Sequence, residues 1–190
     1  MKKHIKTHVH IGHEEIMNGD PQSIIDPLWW AVSIYDGEKK YNKGLSRFTL
    51  PQRYVFAIQW YVSEVNNGGH EQFYFNSTGL VYPDALQGFR EIGHRQAYDI
   101  LNESIARAGG KLPLDRSRRQ KLLDKLELEF DDLDTAFYEI SDLDGKLMEY
   151  IKARETDFYF DGTVRRPDLP SMDWGDAITF APIDTSTNEN

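Results

Sequence analysis

The segment from Glu64 to Gly79, which we call the corner, constrains the fold of this chain more than any other stretch. A helix rich in apolar residues reaches Val65, and the sequence then reads Asn-Asn-Gly-Gly. Asn and Gly adopt positive φ more readily than other residues, so residues 66–69 predict the end of that helix and a tight reversal of the chain. We expect a second, short helix around residues 71–76.

Polar side chains alternate with large apolar ones through the corner, and they allow two interpretations. A polar group beside a core must find hydrogen-bond partners, so these side chains either brace the turn or line a pocket. In a pocket, Glu64 would be a general base and His70 an acid or base near neutral pH. No nucleophile with a partnered base stands at a diagnostic spacing, so no catalytic residue is assigned. The candidate residues of the corner are Glu64, Asn66, Asn67, Gly68, Gly69, His70, Gln72 and Asn76.

Thr49 and Gln52 form a capping-box pattern at the start of the helix that leads into the corner. This helix is apolar nearly all round, which is typical of a buried helix, and we expect it to be central to the fold. Amphipathic patterns predict further helices near residues 26–44, 83–92, 95–108, 115–126, 133–140 and 143–151. In the helix that follows Asp115, we expect the leucines to face inward and the arginines to form a solvated face. The leucines are Leu122, Leu123 and Leu126, and the arginines are Arg116, Arg118 and Arg119.

The helical pattern ends near Phe158, and the aromatic residues beyond it, including Trp174 and Phe180, predict an extended strap that packs back on the helices. Strand signal is weak throughout. The predicted fold class is therefore all-α: a single-domain, irregular multi-helix bundle around a buried central helix, with an extended C-terminal strap. We divide the chain into a His-rich leader (1–22), a helical domain (23–157) and an extended tail (158–190) whose polar end we expect to be disordered.

The net charge of −9 is concentrated in the last third of the chain. Residues 1–120 hold 15 bases and 13 acids, whereas residues 121–190 hold 7 bases and 18 acids. Such a protein repels nucleic-acid phosphates and attracts basic partners. Some acids can cap helices, since helix N-termini favour negative charge. The predicted acidic surface consists of Glu127, Glu129, Asp131, Asp132, Asp134, Asp142 and Asp144, assisted by Asp157 and Asp161.

The absence of cysteine removes a disulfide framework and thiolate chemistry, and it fits a reducing cytoplasm. No apolar run follows the N-terminal lysines, so a signal peptide is not expected. No apolar stretch approaches the roughly 18 residues that span a bilayer. We therefore expect a cytoplasmic protein without a membrane partner.

Four histidines near the N-terminus offer a metal-binding alternative: His4, His8, His10 and His13. His8 and His10 would share one face of a strand, and His4 and His8 would share one face of a helix. No cysteine or fixed second pair completes a recognisable site. The favoured interpretation is a weakly structured leader.

The corner resembles a known family through three short motifs: Glu-Val-Asn-Asn-Gly-Gly from Glu64, Gln72-Phe73, and Asn-Ser-Thr-Gly from Asn76. It is similar to the DNA-mimic-protein family, a set of bacterial proteins largely assigned to a domain of unknown function. The resemblance spans about Thr49 to Ile151. The chain departs from the family pattern at Gln52, where an acid is frequent, and at His70, where an aromatic residue is frequent.

The resemblance implies an all-helical single domain, no cofactor and no established catalytic residues, and it allows a homodimer. The characterised member presents carboxylates spaced like duplex phosphates and occupies a DNA-binding protein. The resulting hypothesis is an acidic protein-interaction module that acts as a DNA mimic towards a basic protein, without binding nucleic acid directly. The alternative is a small-molecule-binding protein or enzyme with a polar site at the corner.

Overall fold

The computed structural model describes residues 4–126 and 128–167, and within them the fold is mostly helical. The helices are α1 (His13–Asn18), α2 (Pro21–Ile24), α3 (Asp26–Ala31), α4 (Glu38–Leu45), α5 (Leu50–Phe75), α6 (Tyr82–Glu91), α7 (Arg95–Arg107), α8 (Arg116–Leu123), α9 (Asp131–Tyr138) and α10 (Leu143–Ala153). Short 3₁₀ segments cover Ser77–Val81 and Glu155–Phe158, and the strands are β1 (His4–Ile11) and β2 (Phe160–Pro167). The predicted helical class is confirmed in its main feature. Glu127 and the expected strap beyond Pro167, with Trp174 and Phe180, lie outside the described residues.

β1 and β2 form a two-stranded antiparallel sheet that joins the two ends of the described chain. The register runs from His4 opposite Pro167 to Ile11 opposite Phe160, and Val9, Ile11 and Val164 face the core. Residues 4–11 therefore form a paired strand, where we had expected a weakly structured leader. A strand whose partner lies about 150 residues away along the chain has no local turn signal to reveal it.

α5 begins with the predicted capping box. The Thr49 hydroxyl accepts a hydrogen bond from the Gln52 N–H at 3.3 Å, and the Gln52 side chain accepts one from the Thr49 N–H at 3.0 Å. The buried apolar residues of α5 are Val55, Phe56, Ala57, Ile58, Tyr61, Val65, Phe73 and Tyr74. Neither α5 nor any other helix of the described part of the chain is long and apolar enough to cross a membrane.

α5 bends where the sequence predicts a helix end. Asn66 and Asn67 are still helical, Gly68 has φ −166° and ψ 29°, and Gly69 has φ 73°. A short helical turn from His70 to Phe75 follows, as expected. The positive φ of Gly69 lies in the region that glycine adopts without a steric penalty.

Two predicted helices differ from the observed ones. The segment from 26 towards 44 is two helices, because α3 ends at Ala31 and α4 begins only at Glu38. In α8 the inward residue is Arg119, which is fully buried, whereas Leu126 is exposed just beyond the end of the helix. The assignment of Arg119 to a solvated face was therefore wrong, and its partners at the corner give the reason.

Candidate functional site

The Glu64 carboxylate connects the two parts of the corner. Its Oε1 atom accepts a hydrogen bond from Thr78 Oγ1 at 2.9 Å. Its Oε2 atom accepts hydrogen bonds from Gln72 Nε2 at 2.8 Å and Asn76 Nδ2 at 3.0 Å. All three donors follow the bend in the chain, so Glu64 ties the first part of α5 to the segment beyond it.

An open depression of about 550 Å³ lies over the corner. It is lined by Ser63, Glu64, Asn66, Asn67, Gln72 and Asn76. Both carboxylate oxygens of Glu64 are already hydrogen-bonded within the corner. A substrate that needed Glu64 as its base would have to displace these donors.

We expect Glu64→Gln to lower the free energy of unfolding by about 1–3 kcal/mol, because one of the three donors would then face an amide N–H₂. Urea denaturation measures this change. The matched control is Glu71→Gln, since Glu71 is exposed and has no side-chain partner in residues 4–126 and 128–167. Equal stability of the two variants would contradict a bracing role for Glu64.

His70 is fully buried and connects α5 to α9. Its Nε2 atom lies 2.6 Å from Tyr61 Oη, and its backbone N–H donates to Asp134 Oδ1 at 2.9 Å. Its Nδ1 atom contacts the same carboxylate oxygen. Burial lowers the pKa of His70 despite the adjacent Asp134, so the ring is neutral at neutral pH, with Nδ1–H donating to Asp134 and Nε2 accepting from Tyr61.

Both ring nitrogens of His70 are therefore used inside the protein. A general acid or base must be within hydrogen-bond reach of its substrate, and a fully buried ring with two internal partners has no such access. The arrangement braces the corner, and His70 is not among the residues that line the depression.

The neutral state of His70 predicts a pH dependence of stability. The unfolded chain binds a proton near the ordinary pKa of 6.5, whereas the folded protein binds it only at lower pH. Stability is therefore fully present above that value and falls as the pH drops below it, by up to about 1.4 kcal/mol per pH unit. Urea denaturation of the wild type and of His70→Gln between neutral pH and pH 5 measures this. The variant should show a shallower slope, and equal slopes would contradict the assignment.

The structure separates the predicted acidic surface into paired and unpaired carboxylates. Asp134 belongs to the His70 brace, and Asp132 accepts two hydrogen bonds from the Arg107 guanidinium, each at 2.7 Å. Arg107 lowers the pKa of Asp132 to about 2. Asp142 lies 3.0 Å from His94 Nε2. In the described part of the chain, the exposed acids of the set without a side-chain partner are Glu129, Asp131 and Asp144.

Arg119 is the residue of this region that sequence reasoning missed. Its guanidinium donates to the carbonyl oxygens of Tyr74 (2.6 Å), Asn76 (2.6 Å), Pro113 (2.9 Å) and Leu114 (3.0 Å). Burial lowers the pKa of Arg119 to about 10, so the group stays charged at neutral pH. It satisfies the Tyr74 carbonyl in the last turn of α5, which has no partner within the helix, and it shares the Asn76 carbonyl with the Gly79 N–H.

Gly79, the last residue of the Asn-Ser-Thr-Gly motif, makes room for Arg119. A Cβ atom at this position would lie 2.7 Å from Arg119 Nε and 2.8 Å from the Phe73 carbonyl oxygen. These separations are too short for a side chain. The glycine of the motif is therefore explained by close packing of an arginine against the backbone.

The N-terminal histidines pair with acids of the returning strand and its approach. His8 Nε2 and His10 Nδ1 each lie 3.2 Å from Asp161, and His13 Nδ1 lies 2.9 Å from Glu155. Asp161 is therefore not a free member of the acidic surface. Among residues 4–126 and 128–167, no group of three or more His, Asp or Glu residues is arranged to hold a metal ion.

The fold and the corner together define a small helical domain whose polar motif residues hold the corner together. Residues 46–154 match the DMP19-like protein family, which covers more than half of the chain. The chain belongs to this family, and the resemblance to the DNA-mimic-protein family is confirmed at that level. No curated protein and no solved structure matches the chain.

Proposed function

We propose that this protein is an acidic protein-interaction module that acts as a DNA mimic and occupies a DNA-binding protein. Membership of the DMP19-like family supports the proposal. The observation that carries it is the group of exposed carboxylates before and within the first turn of α9, Glu129, Asp131 and Asp132, with Asp144 in the first turn of α10. Carboxylates can replace phosphates in such contacts because Lys and Arg pair with both.

The pair of Arg107 and Asp132 provides an internal example of this recognition. The two guanidinium nitrogens meet the two carboxylate oxygens in the bidentate geometry that arginine also uses with phosphate. A partner's arginine could approach the neighbouring Glu129 or Asp131 in the same way. Glu129 and Asp131 have no side-chain partner in the described chain, so binding of a partner's arginine would break no side-chain contact within the protein.

α9 presents these acids on a rigid support. Leu133 and Phe137 are buried against the core, and Asp134 accepts the hydrogen bonds of His70. A binding surface held by packing and hydrogen bonds loses little conformational freedom when a partner binds. The corner thus contributes to the proposed function by positioning α9.

The experiment is a pull-down from native lysate with the wild type, Glu129→Gln/Asp131→Asn and the control Glu14→Gln/Glu38→Gln. Asp131, Glu14 and Glu38 all lie in first turns of helices, so the two variants lose the same charge with similar effects on helix dipoles. We expect a basic protein that elutes as the salt concentration rises. The test variant should lose this protein and the control should retain it.

The captured protein must itself bind duplex DNA, and duplex DNA must displace it from the wild type. If the test variant captures the basic protein as strongly as the control variant does, the proposed surface is contradicted. A captured protein that duplex DNA does not displace would contradict mimicry. Light scattering on the same samples tests the homodimer that the family resemblance allows.

A further inference from the structure

A basic depression of about 500 Å³ lies beside β2 and α3, on a protein whose net charge is −9. We propose that it binds a small phosphorylated ligand that carries a planar ring, of the nucleotide type. Its lining residues are Lys6, Trp30, Ala31, Arg47, Thr163, Val164 and Arg165. Three of these side chains are cationic, and none of the lining residues is acidic.

The positions of the cations argue for an anionic ligand. Lys6 and Arg165 are direct partners in the register of β1 and β2, and like charges placed opposite each other destabilise a strand pair. Arg47 adds a third positive charge to the same depression. No ion pair involves any of the three within residues 4–126 and 128–167. A bound phosphate would relieve this repulsion and supply the missing counter-charge.

Other arginines of the chain are neutralised internally. Arg53 pairs with Asp84, Arg107 with Asp132, and Arg166 with Asp26. Asp26, in the same helix as Trp30, is already occupied by Arg166 and by the Trp30 indole. Within residues 4–126 and 128–167 the three cations of the depression have no such acid, and they line one depression together.

Trp30 provides a surface for a planar ring. Its side chain is 37% exposed, although tryptophan is usually well covered. The indole Nε1 donates to Asp26 Oδ1 at 2.9 Å, and the Arg166 guanidinium carbon lies 5.4 Å from the ring centroid. The ring is thus held in place at the edge of the basic depression, where a flat heterocycle can stack on it.

The size of the depression and the overall charge favour a small ligand over a polymer. A volume of about 500 Å³ lies in the range of small-molecule sites. A long polyanion would also approach the acidic remainder of the protein, and the net charge opposes that approach. A small ligand stays within the depression, whose lining carries three cations and no acid.

The test is calorimetric titration of the full chain with ADP and, separately, with inorganic pyrophosphate. We expect both to bind with one-to-one stoichiometry, and raised salt should weaken the affinity. Arg47→Gln/Arg165→Gln should weaken both ligands by at least about tenfold, because each removes charged hydrogen bonds to phosphate. The control Arg90→Gln/Arg118→Gln removes two exposed arginines from other helices and should leave both affinities unchanged.

A third variant, Trp30→Leu, separates the two parts of the proposed ligand. It should weaken ADP and leave pyrophosphate binding unchanged, while circular dichroism checks that the fold is retained. The proposal would be overturned if neither ADP nor pyrophosphate binds at millimolar concentration. An equal loss in the control variant would also overturn it. Tighter binding of poly-glutamate or duplex DNA than of ADP would overturn the choice of a small ligand.

Discussion

Arg119→Leu is expected to lower the free energy of unfolding by about 4 kcal/mol. A buried carbonyl that loses its donor costs about 1–3 kcal/mol, and Arg119 serves four carbonyls, of which only that of Asn76 also accepts from a backbone N–H, that of Gly79. Part of this cost is offset because leucine does not bring a charge into the interior. Urea denaturation monitored by tryptophan fluorescence measures the change.

Two further variants separate the role of the guanidinium from a general effect of substitution on α8. Arg118 is an exposed neighbour on the same helix, so Arg118→Leu should change stability by no more than about 0.5 kcal/mol. Arg119→Lys keeps the charge but lacks the planar fork, and we expect an intermediate loss. If Arg119→Leu is as stable as Arg118→Leu, the four carbonyls must find other donors, and the predicted role of Arg119 is contradicted.

Gly69→Ala is expected to lower the free energy of unfolding by about 3 kcal/mol, for two separate reasons. Gly69 has φ 73° and ψ −176°, a region almost restricted to glycine, and another residue there costs about 1–3 kcal/mol. A Cβ atom there would also lie 2.8 Å from Asp134 Cγ and overlap its Oδ2 atom. Asp134 would have to move and weaken its hydrogen bonds to His70, at a further cost of about 1–3 kcal/mol.

Gly93→Ala is a control that shares the positive φ of Gly69. Gly93 has the same φ of 73°, and a Cβ atom there would meet no atom within 4 Å. Gly93→Ala therefore measures the cost of a side chain at this φ without a contact to a neighbouring group. In a double-mutant cycle, Asp134→Ala should cost less in the Gly69→Ala background than in the wild type, by about 1 kcal/mol or more. Equal losses for Gly69→Ala and Gly93→Ala would contradict the brace.

Two helix starts and the break in α5 could be predicted because they depend on neighbours in the sequence. The Thr49 capping box and the Asp115 cap are hydrogen bonds across three residues, and both are present. The break in α5 at Gly68 and Gly69 follows from backbone preference alone. The matched family segment, residues 46–154, likewise corresponds closely to the stretch that the motif residues predicted.

Arg119 shows a signal that could have been used. Residues 119, 122, 123 and 126 occupy positions i, i+3, i+4 and i+7, so Arg119 lies on the same face as the leucines that we expected to be inward. Grouping by residue type instead places Arg119 with Arg116 and Arg118 on a solvated face. An arginine on an apolar helix face should have raised the question of which buried carbonyls it serves.

The sequence by itself determined the helical class, the caps, the bend and the family. Only the tertiary structure decided that Asp134 braces His70 from 64 positions away and that β1 meets β2. It also decided that Asp132 is paired, while Glu129 and Asp131 have no side-chain partner within residues 4–126 and 128–167. Caps and turns are made within a few residues, so local sequence encodes them. Whether a charged side chain is a surface charge or an internal brace depends on which distant groups come within about 3 Å of it, and folding alone brings those groups together.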